Sequence, residues 1–431
     1  MQEDSFIVGL DIGTTKICAI VGRKDEFGKL EVLGMGKAKS DGVIRGIVTN
    51  IDKTVHAIRK AIKEAEDQAG VDVGVVNVGI AGQHIHSQIQ HGSITRDPGG
   101  DEITKDDVNR LTNDMFRLVI DPGSDIIHVM PQHYTVDNEE GIIDPVGMSG
   151  VKLEADFHVI TAQTNAIKNV NRCVKKSERE VQELILEPLA SSLAVLSEEE
   201  KEAGVCLVDI GGGTTDIAIF HDNIIRHTAV IPFGGNSITT DIKTGCSVMQ
   251  DQAEKLKVNF GKAIAELANE NEIVSIPGLR DRPPKEISVK NLAHIIEARL
   301  EEIIEMVHAE IISVGYDDVL SAGIVVTGGG SQMQHLKELF EFMTGMDTRI
   351  GYPNEHLGKS KMSEMNNPVF ATSVGLVLSG FLAIDERNRW MKQENEETTG
   401  TNESKKEKKG MSVFQKVLAR TKSVIIDEYK H

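Results

Sequence analysis

Two aspartates stand at matching places in the chain. Asp11 closes the first apolar run of IVGLDIGTTKICAIV, residues 7–21, and Asp209 closes that of VCLVDIGGGTTDIAIF, residues 205–220. Each is followed by isoleucine, glycine and a pair of threonines before a second apolar run begins. A turn that only reverses a chain needs one glycine or an Asn-Gly pair, so Gly211, Gly212 and Gly213 together point to a ligand that approaches the backbone closely. Successive N–H groups in such a turn form an anion nest, and threonine hydroxyls add donors. An aspartate at the strand end suits a hard cation such as Mg²⁺, held partly through water. The chemistry indicated is polyphosphate binding with a divalent cation. Each aspartate also has a plainer reading, a hydrogen bond that fixes its turn. No GxxxxGK[ST] occurs, so a P-loop is excluded.

Positioning these turns takes strands, and both stretches read as strand, Gly/Thr turn, strand. Recurrence of one unit predicts a duplicated α/β fold. A third glycine turn, Gly328–Gly330 in SAGIVVTGGGSQM, ends a buried-type strand before the helical run QHLKELFEFM. Flat backbone at Gly329 and Gly330 can receive an adenine, although close strand–helix packing also uses glycine there. The run DQAEKLKVNFGKAIAELANE has helical apolar spacing, and NLAHIIEARLEEIIEMVHAEII places Leu292, Ile295, Ile296, Leu300, Ile303 and Ile304 on one stripe. SVGLVLSGFLAI, residues 373–384, is too short to cross a bilayer and reads as a buried helix.

At 431 residues, with 40% hydrophobic and 26% charged residues, the chain is a soluble type built from more than one compact unit. A net charge of −19 argues against nucleic acid as a partner. Cys18, Cys173, Cys206 and Cys246 are far apart with no CxxC, which predicts reduced, buried thiols, no zinc and a cytosolic setting. The acidic N-terminus runs straight into a strand, so no secretory leader is expected. His84, His86 and His91 fall in GQHIHSQIQHGS, where alternation suits the polar face of a strand better than a metal site.

In order along the chain, GLDIGTTKI, LEPLASSLAVL, LVDIGGGTTDIAIF, VVTGGGSQM and ATSVGLVL resemble the signatures of the actin, Hsp70 and hexokinase ATPase superfamily. Within it, GIAGQHIHSQIQHGSI, PQHYTVDNEEGIIDPVGMSGVKLEADFHVIT and RHTAVIPFGGNSITTDI resemble the FtsA family of bacterial cell-division proteins. The resemblance implies a two-lobed actin-like α/β fold. Its first core subdomain would comprise 1–82, 162–196 and 365–390, with an inserted subdomain at 83–161. A second core subdomain would comprise 197–235 and 315–364, with a helical subdomain at 236–314 between those pieces.

The same resemblance implies ATP and Mg²⁺ as ligands. Asp11, Gly13, Thr14, Thr15 and Lys16 would meet the phosphates and metal from one side, and Gly211, Gly212, Gly213, Thr214 and Thr215 from the other. Asp209 would sit near the metal, Glu254 and Lys257 near the ribose, and Gly329 and Gly330 near the adenine. Without the resemblance, Glu254 and Lys257 read as a solvated helix face. Glu187 and Asp209 are the candidates for positioning water or metal in a weak or slow hydrolysis. Glu187 precedes Pro188, so pinning the following helix is an equal alternative. Family grounds make Asn291 and Arg299 candidates for the C-terminal peptide of the tubulin-like FtsZ. Self-association into filaments and contacts with other division proteins at the septum are further implications. A small-molecule kinase or a chaperone-like ATPase of the same superfamily is the alternative, though few residues follow Trp390 to build a peptide-binding domain.

The last stretch changes character. Residues 391–410 are polar and charged, which predicts a disordered linker. MSVFQKVLARTKSVIIDEYKH follows, with Val413, Phe414, Val417, Leu418, Val424 and Ile425 near one helical face and Lys416, Arg420 and Lys422 at its borders. A tethered amphipathic helix with basic flanks suits the anionic inner surface of the cell membrane, and the FtsA family has such a targeting helix. Asp427, Glu428 and the lack of tryptophan in this tail predict modest affinity helped by polymer avidity.

Overall fold

β-Branched residues on both sides of each Gly-Thr turn form antiparallel hairpins. A computed structural model describes residues 6–96, 102–278, 283–358 and 363–399. Strand Ile7–Ile12 pairs with Lys16–Lys24, and Val205–Ile210 pairs with Thr215–His221. Each hairpin continues into a third antiparallel strand, Leu30–Lys39 in the first sheet and Ile224–Ile231 in the second. On its other side each gains two parallel strands, Val75–Ile80 then Glu180–Leu186, or Ile324–Thr327 then Thr348–Ile350. Both five-stranded sheets therefore share one strand order, which is the duplication anticipated from the repeated motif.

Burial on both faces explains the continuous apolar character of the central strands. In the first sheet, Leu10, Ile17 and Val21 pack with Ile58, Ala61 and Ile62 of helix Ile51–Ala69 and with Val174 of helix Thr164–Lys176. Asn50 caps the former, accepting from the Lys53 N–H, and left-handed Gly70 ends it. On the opposite face, Gly9 admits the helix that begins at Ala371: a Cβ there would lie 2.8 Å from the Ser373 carbonyl oxygen. The second sheet buries Val208, Ile217 and Ile219 with Ile242, Leu300, Ile303 and Ile304.

Between strand Val75–Ile80 and helix Thr164–Lys176 lies a four-stranded antiparallel sheet, in the order Ile85–Thr95, Lys152–Gln163, Ser124–Val136 and Glu139–Ile142. Helix Lys105–Met115, with a Thr104–Asp107 capping box, lays Leu111 and Met115 on Leu153 and Phe157. All four cysteines are free and buried.

Several local expectations need correction. The helix begun at Gln250 stops at Phe260, because Gly261 turns the chain into extended backbone, and only a short 3₁₀ turn, Ala265–Leu267, follows. In helix Val289–Ser313, Ile295 is only partly buried while the other five stripe residues are fully buried. His84 lies just ahead of strand Ile85–Thr95 and is buried, not on its polar face. Pro368–Asp385 is long and apolar enough to span a bilayer, contrary to the length argument, but Ala371, Val374, Leu376 and Val377 lie in the protein core. The chain divides into a unit ending at Leu382 and another beginning at Ala383. The helix Ala371–Thr399 runs into the predicted linker, because KQENEETT consists largely of helix-tolerant residues with no glycine or proline before Gly400. The predicted amphipathic helix, with Val413, Phe414, Val417, Leu418, Val424 and Ile425, lies outside the described residues.

Candidate functional site

The two hairpin turns meet. A Cβ added at Gly212 would lie 2.3 Å from Thr15 Cγ2, and one at Gly213 would lie 2.6 Å from Thr14 Oγ1. Side chains are therefore barred at the tip of the second turn, where the close neighbours are the threonines of the first turn.

Behind the turns is a buried acidic cluster. Asp11 is 5% exposed; it accepts from Lys16 Nζ at 3.1 Å and from Ser373 Oγ at 3.1 Å. Lys16 also donates to the Val369 carbonyl at 2.6 Å and lies over the Phe370 ring. Burial works against its charge, but the Asp11 carboxylate, with Cys18 and Asp209 adding to it, leaves the Lys16 pKa raised. Lys16 is thus committed to its own hairpin's aspartate and to the 3₁₀ turn Pro368–Phe370 that precedes the helix beginning at Ala371.

The second hairpin has no such cation. Asp209 accepts from Ser191 Oγ at 2.7 Å and from Thr372 Oγ1 at 3.3 Å. Its register partner across the hairpin is Asp216, which accepts from Thr214 Oγ1 at 2.9 Å. Burial, reinforced by Asp209, pushes the Asp216 carboxyl up to about 7, and its Oδ1 is buried without a partner. Burial also raises Asp209, against the Ser191 hydrogen bond. Glu187, the first residue of helix Glu187–Val195, is raised well above the usual carboxylate range by burial and then by Asp11, Asp216 and Asp209. That helix has no side-chain cap hydrogen bond, so Glu187 does not serve as a cap.

Four carboxyls around one lysine, with an orphaned carboxylate oxygen, fit a divalent cation. Among the described residues, no three His, Cys, Asp or Glu side chains form a direct metal cage. A cation here would be held largely through water and phosphate.

The remaining predicted residues divide into two groups. Gly13, Thr14, Thr15, Gly211, Gly212 and Gly213 line the junction of the turns, with Thr15 exposed. Thr215 does not: it is fully buried and donates to the Phe233 carbonyl at 2.9 Å, bracing the turn. Lys257 reaches the same region, since it donates to the Gly235 carbonyl at 3.0 Å and Gly235 donates its N–H to the Gly211 carbonyl. Glu254 pairs with Lys257 at 2.8 Å. Gly330 backs onto Ile210, the residue after Asp209, while Gly329 is exposed. The sugar-and-base candidates therefore gather at the Asp209–Gly211 end of the second turn.

Arg299 and Asn291 lie elsewhere, on helix Val289–Ser313. Arg299 is held by Asp241 at 2.6 and 3.2 Å, pairs with Glu302 and lies over Phe233. Asn291 is exposed in the first turn of that helix. The concavity lined by His56, Arg59, Lys60, Glu66 and Arg179, about 430 Å³, includes no residue of either turn. Sequence reasoning missed Asp216, although its symmetric place in DIGGGTTD put it opposite Asp209 in a tight hairpin.

Comparison with known proteins places these features in a family context. Residues 206–375 match the family model for the cell division protein FtsA, and residues 82–161 match the model for the SHS2 domain inserted in FtsA. The chain is 44% identical to the cell division protein FtsA of Pseudomonas aeruginosa over 381 residues, covering 88% of this chain and 90% of that protein. It is 34% identical to that of Escherichia coli over 412 residues, covering 91% and 97%. Among solved structures it is similar to the PilM–PilN type IV pilus biogenesis complex, with TM-score 0.61, 15% identity and coverage of 88% and 99%. It is also similar to MreB 5 of Spiroplasma citri bound to AMPPNP, with TM-score 0.51, 16% identity and coverage of 89% and 99%. These last two likenesses concern the fold, which is actin-like.

Proposed function

The chain belongs to the FtsA family of cell-division proteins, and from that premise we propose that it is an ATP-binding, filament-forming adaptor that tethers the FtsZ ring to the membrane. The observation that carries the nucleotide part is the apposition of two glycine turns over a cluster of Asp11, Asp209, Asp216 and Glu187. The N–H groups of the turns bind the phosphates, and the surplus negative charge behind them holds Mg²⁺ through water. Bound MgATP brings the reactive phosphoanhydride. Burial, and then the Asp11 carboxylate, favour the protonated form of Glu187, which cannot take a proton from water, so turnover is slow and the nucleotide chiefly sets conformation. The MreB structure with AMPPNP supports the ligand class by analogy of fold.

In this reading the insert at 83–161 is the SHS2 subdomain, and 236–314 is the helical subdomain that takes the FtsZ peptide. Arg299 meets an acidic group there only by exchanging Asp241 for it. The segment 411–431 anchors the assembly to anionic lipid and localises it at the septum, where other division proteins are recruited.

The test is sedimentation with anionic liposomes, with and without ATP and Mg²⁺, comparing the full chain with one truncated after Lys392. The full chain co-sediments and the truncated one stays in solution. Equal behaviour of the two chains removes the tail as anchor.

A further inference from the structure

Strands Val43–Ile44 and Ile47–Val48 form a small antiparallel hairpin closed by Arg45 and Gly46. Both turn residues are left-handed, with φ of 49° and 75°. That is the backbone of a type I′ turn, for which Asn-Gly is the favoured pair. An arginine at the first position costs about 1 kcal/mol or more over a residue suited to it.

The turn sits at the meeting point of both phosphate hairpins. Gly46 donates its N–H to Thr14 Oγ1 at 3.2 Å, and a Cβ on Gly213 would lie 3.0 Å from Arg45 Cα. Gly46 is also pressed against Ala81 and Gly82, the backbone entering the insert. The Arg45 side chain is exposed and, among the described residues, has no hydrogen bond or ion pair. Lys16, by contrast, is occupied by Asp11 and Val369.

The order of groups along the site orients a nucleotide. Lys257, Gly235 and Gly330 adjoin the Ile210–Gly211 end of the second turn, whereas Thr14 and Arg45 adjoin Gly213. A nucleotide with sugar and base toward the first group extends its last phosphate toward the second. Resting on the nucleotide-binding reading above, we propose that Arg45 is a positioning residue that pairs with the terminal phosphate of a bound nucleoside triphosphate and distinguishes it from the diphosphate. The strained turn fixes its Cα at an edge where the two hairpins and the entry to the insert converge.

The experiment measures affinities of the full chain for AMPPNP and for ADP, each with Mg²⁺, by competition with a fluorescent ADP. Arg45→Asn keeps the left-handed turn and removes the cation. A charge-assisted phosphate contact predicts about a 10- to 100-fold loss for AMPPNP and less than about a 2-fold change for ADP. Arg45→Lys recovers part of the loss. Equal weakening of both ligands would make Arg45 merely structural, and no change in either would remove it from the site. Failure of the unmodified chain to bind ADP or AMPPNP overturns the nucleotide reading itself, and the Arg45 assignment with it.

Discussion

The two glycine-turn hairpins share strand order and turn position, yet their charges are arranged differently. Asp11 lies in register with Cys18 and is neutralised by Lys16 of its own hairpin. Asp209 lies in register with Asp216; hydroxyls of Ser191, Thr372 and Thr214 donate to the pair, and Lys16 acts on Asp209 without a hydrogen bond among the described residues. One copy of the unit carries its own counter-charge, while the other sets two buried carboxyls side by side, both shifted upward by burial. Duplication thus supplies two jaws of one geometry, and substitution of a few polar residues makes one jaw the more acidic side.

Removing the internal cation of the first hairpin is the strongest way to break this contrast. Lys16→Met leaves Asp11 buried with Ser373 as its remaining side-chain donor. Breaking a buried ion pair from one side costs about 3–5 kcal/mol, read as a lower urea midpoint. Added Mg²⁺ restores part of that loss, because both jaws then present unneutralised carboxylates. An unchanged midpoint would show that Lys16 does not balance Asp11.

The next largest effect tests the contact between the jaws. Gly212→Val places carbon where Thr15 already stands, and it lowers nucleotide affinity about 100-fold, equivalent to about 2.7 kcal/mol. Gly211→Ala is the milder control, since its Cβ first meets the Thr214 carbonyl at 3.2 Å. Equal losses from the two substitutions would argue that turn flexibility, not closeness to Thr15, governs binding.

Much of this was legible in the linear sequence because it depends on local rules. The repeated Asp-Ile-Gly-Thr order announces duplicated hairpins, and the triple glycine announces a close approach, which proves to be to Thr14 and Thr15. What could not be read was the pairing of charges across long separations. Lys16, which the family resemblance sets at the phosphates, is held by Asp11 and by the distant Val369, a pairing that no local pattern shows. Thr215 reads as an open donor until Phe233, eighteen residues on, accepts its hydrogen bond. Arg45 gives no local signal at all, because its importance comes from a turn that tertiary contacts place between the jaws.

Asp216 sharpens the comparison through pH. Its folded pKa, about 7, is far above the ordinary aspartate value near 3.9, so the folded chain holds a proton that the unfolded chain releases. The resulting stability is complete below about pH 4 and is lost as pH rises through about 7. Between pH 5 and 7, without divalent cation, this group alone lowers stability by about 2 kcal/mol. Asp216→Asn removes that part of the slope, leaving a smaller slope of the same sign from Glu187 and Asp209, whose carboxyls are also raised. Saturating Mg²⁺ flattens the profile of the unmodified chain, because a cation favours the ionised carboxyl that burial disfavours. Urea unfolding at several pH values, with and without Mg²⁺, reads both effects. A profile in Asp216→Asn identical to that of the unmodified chain would move the surplus charge, and with it the cation, to the Glu187 and Asp209 side of the cluster.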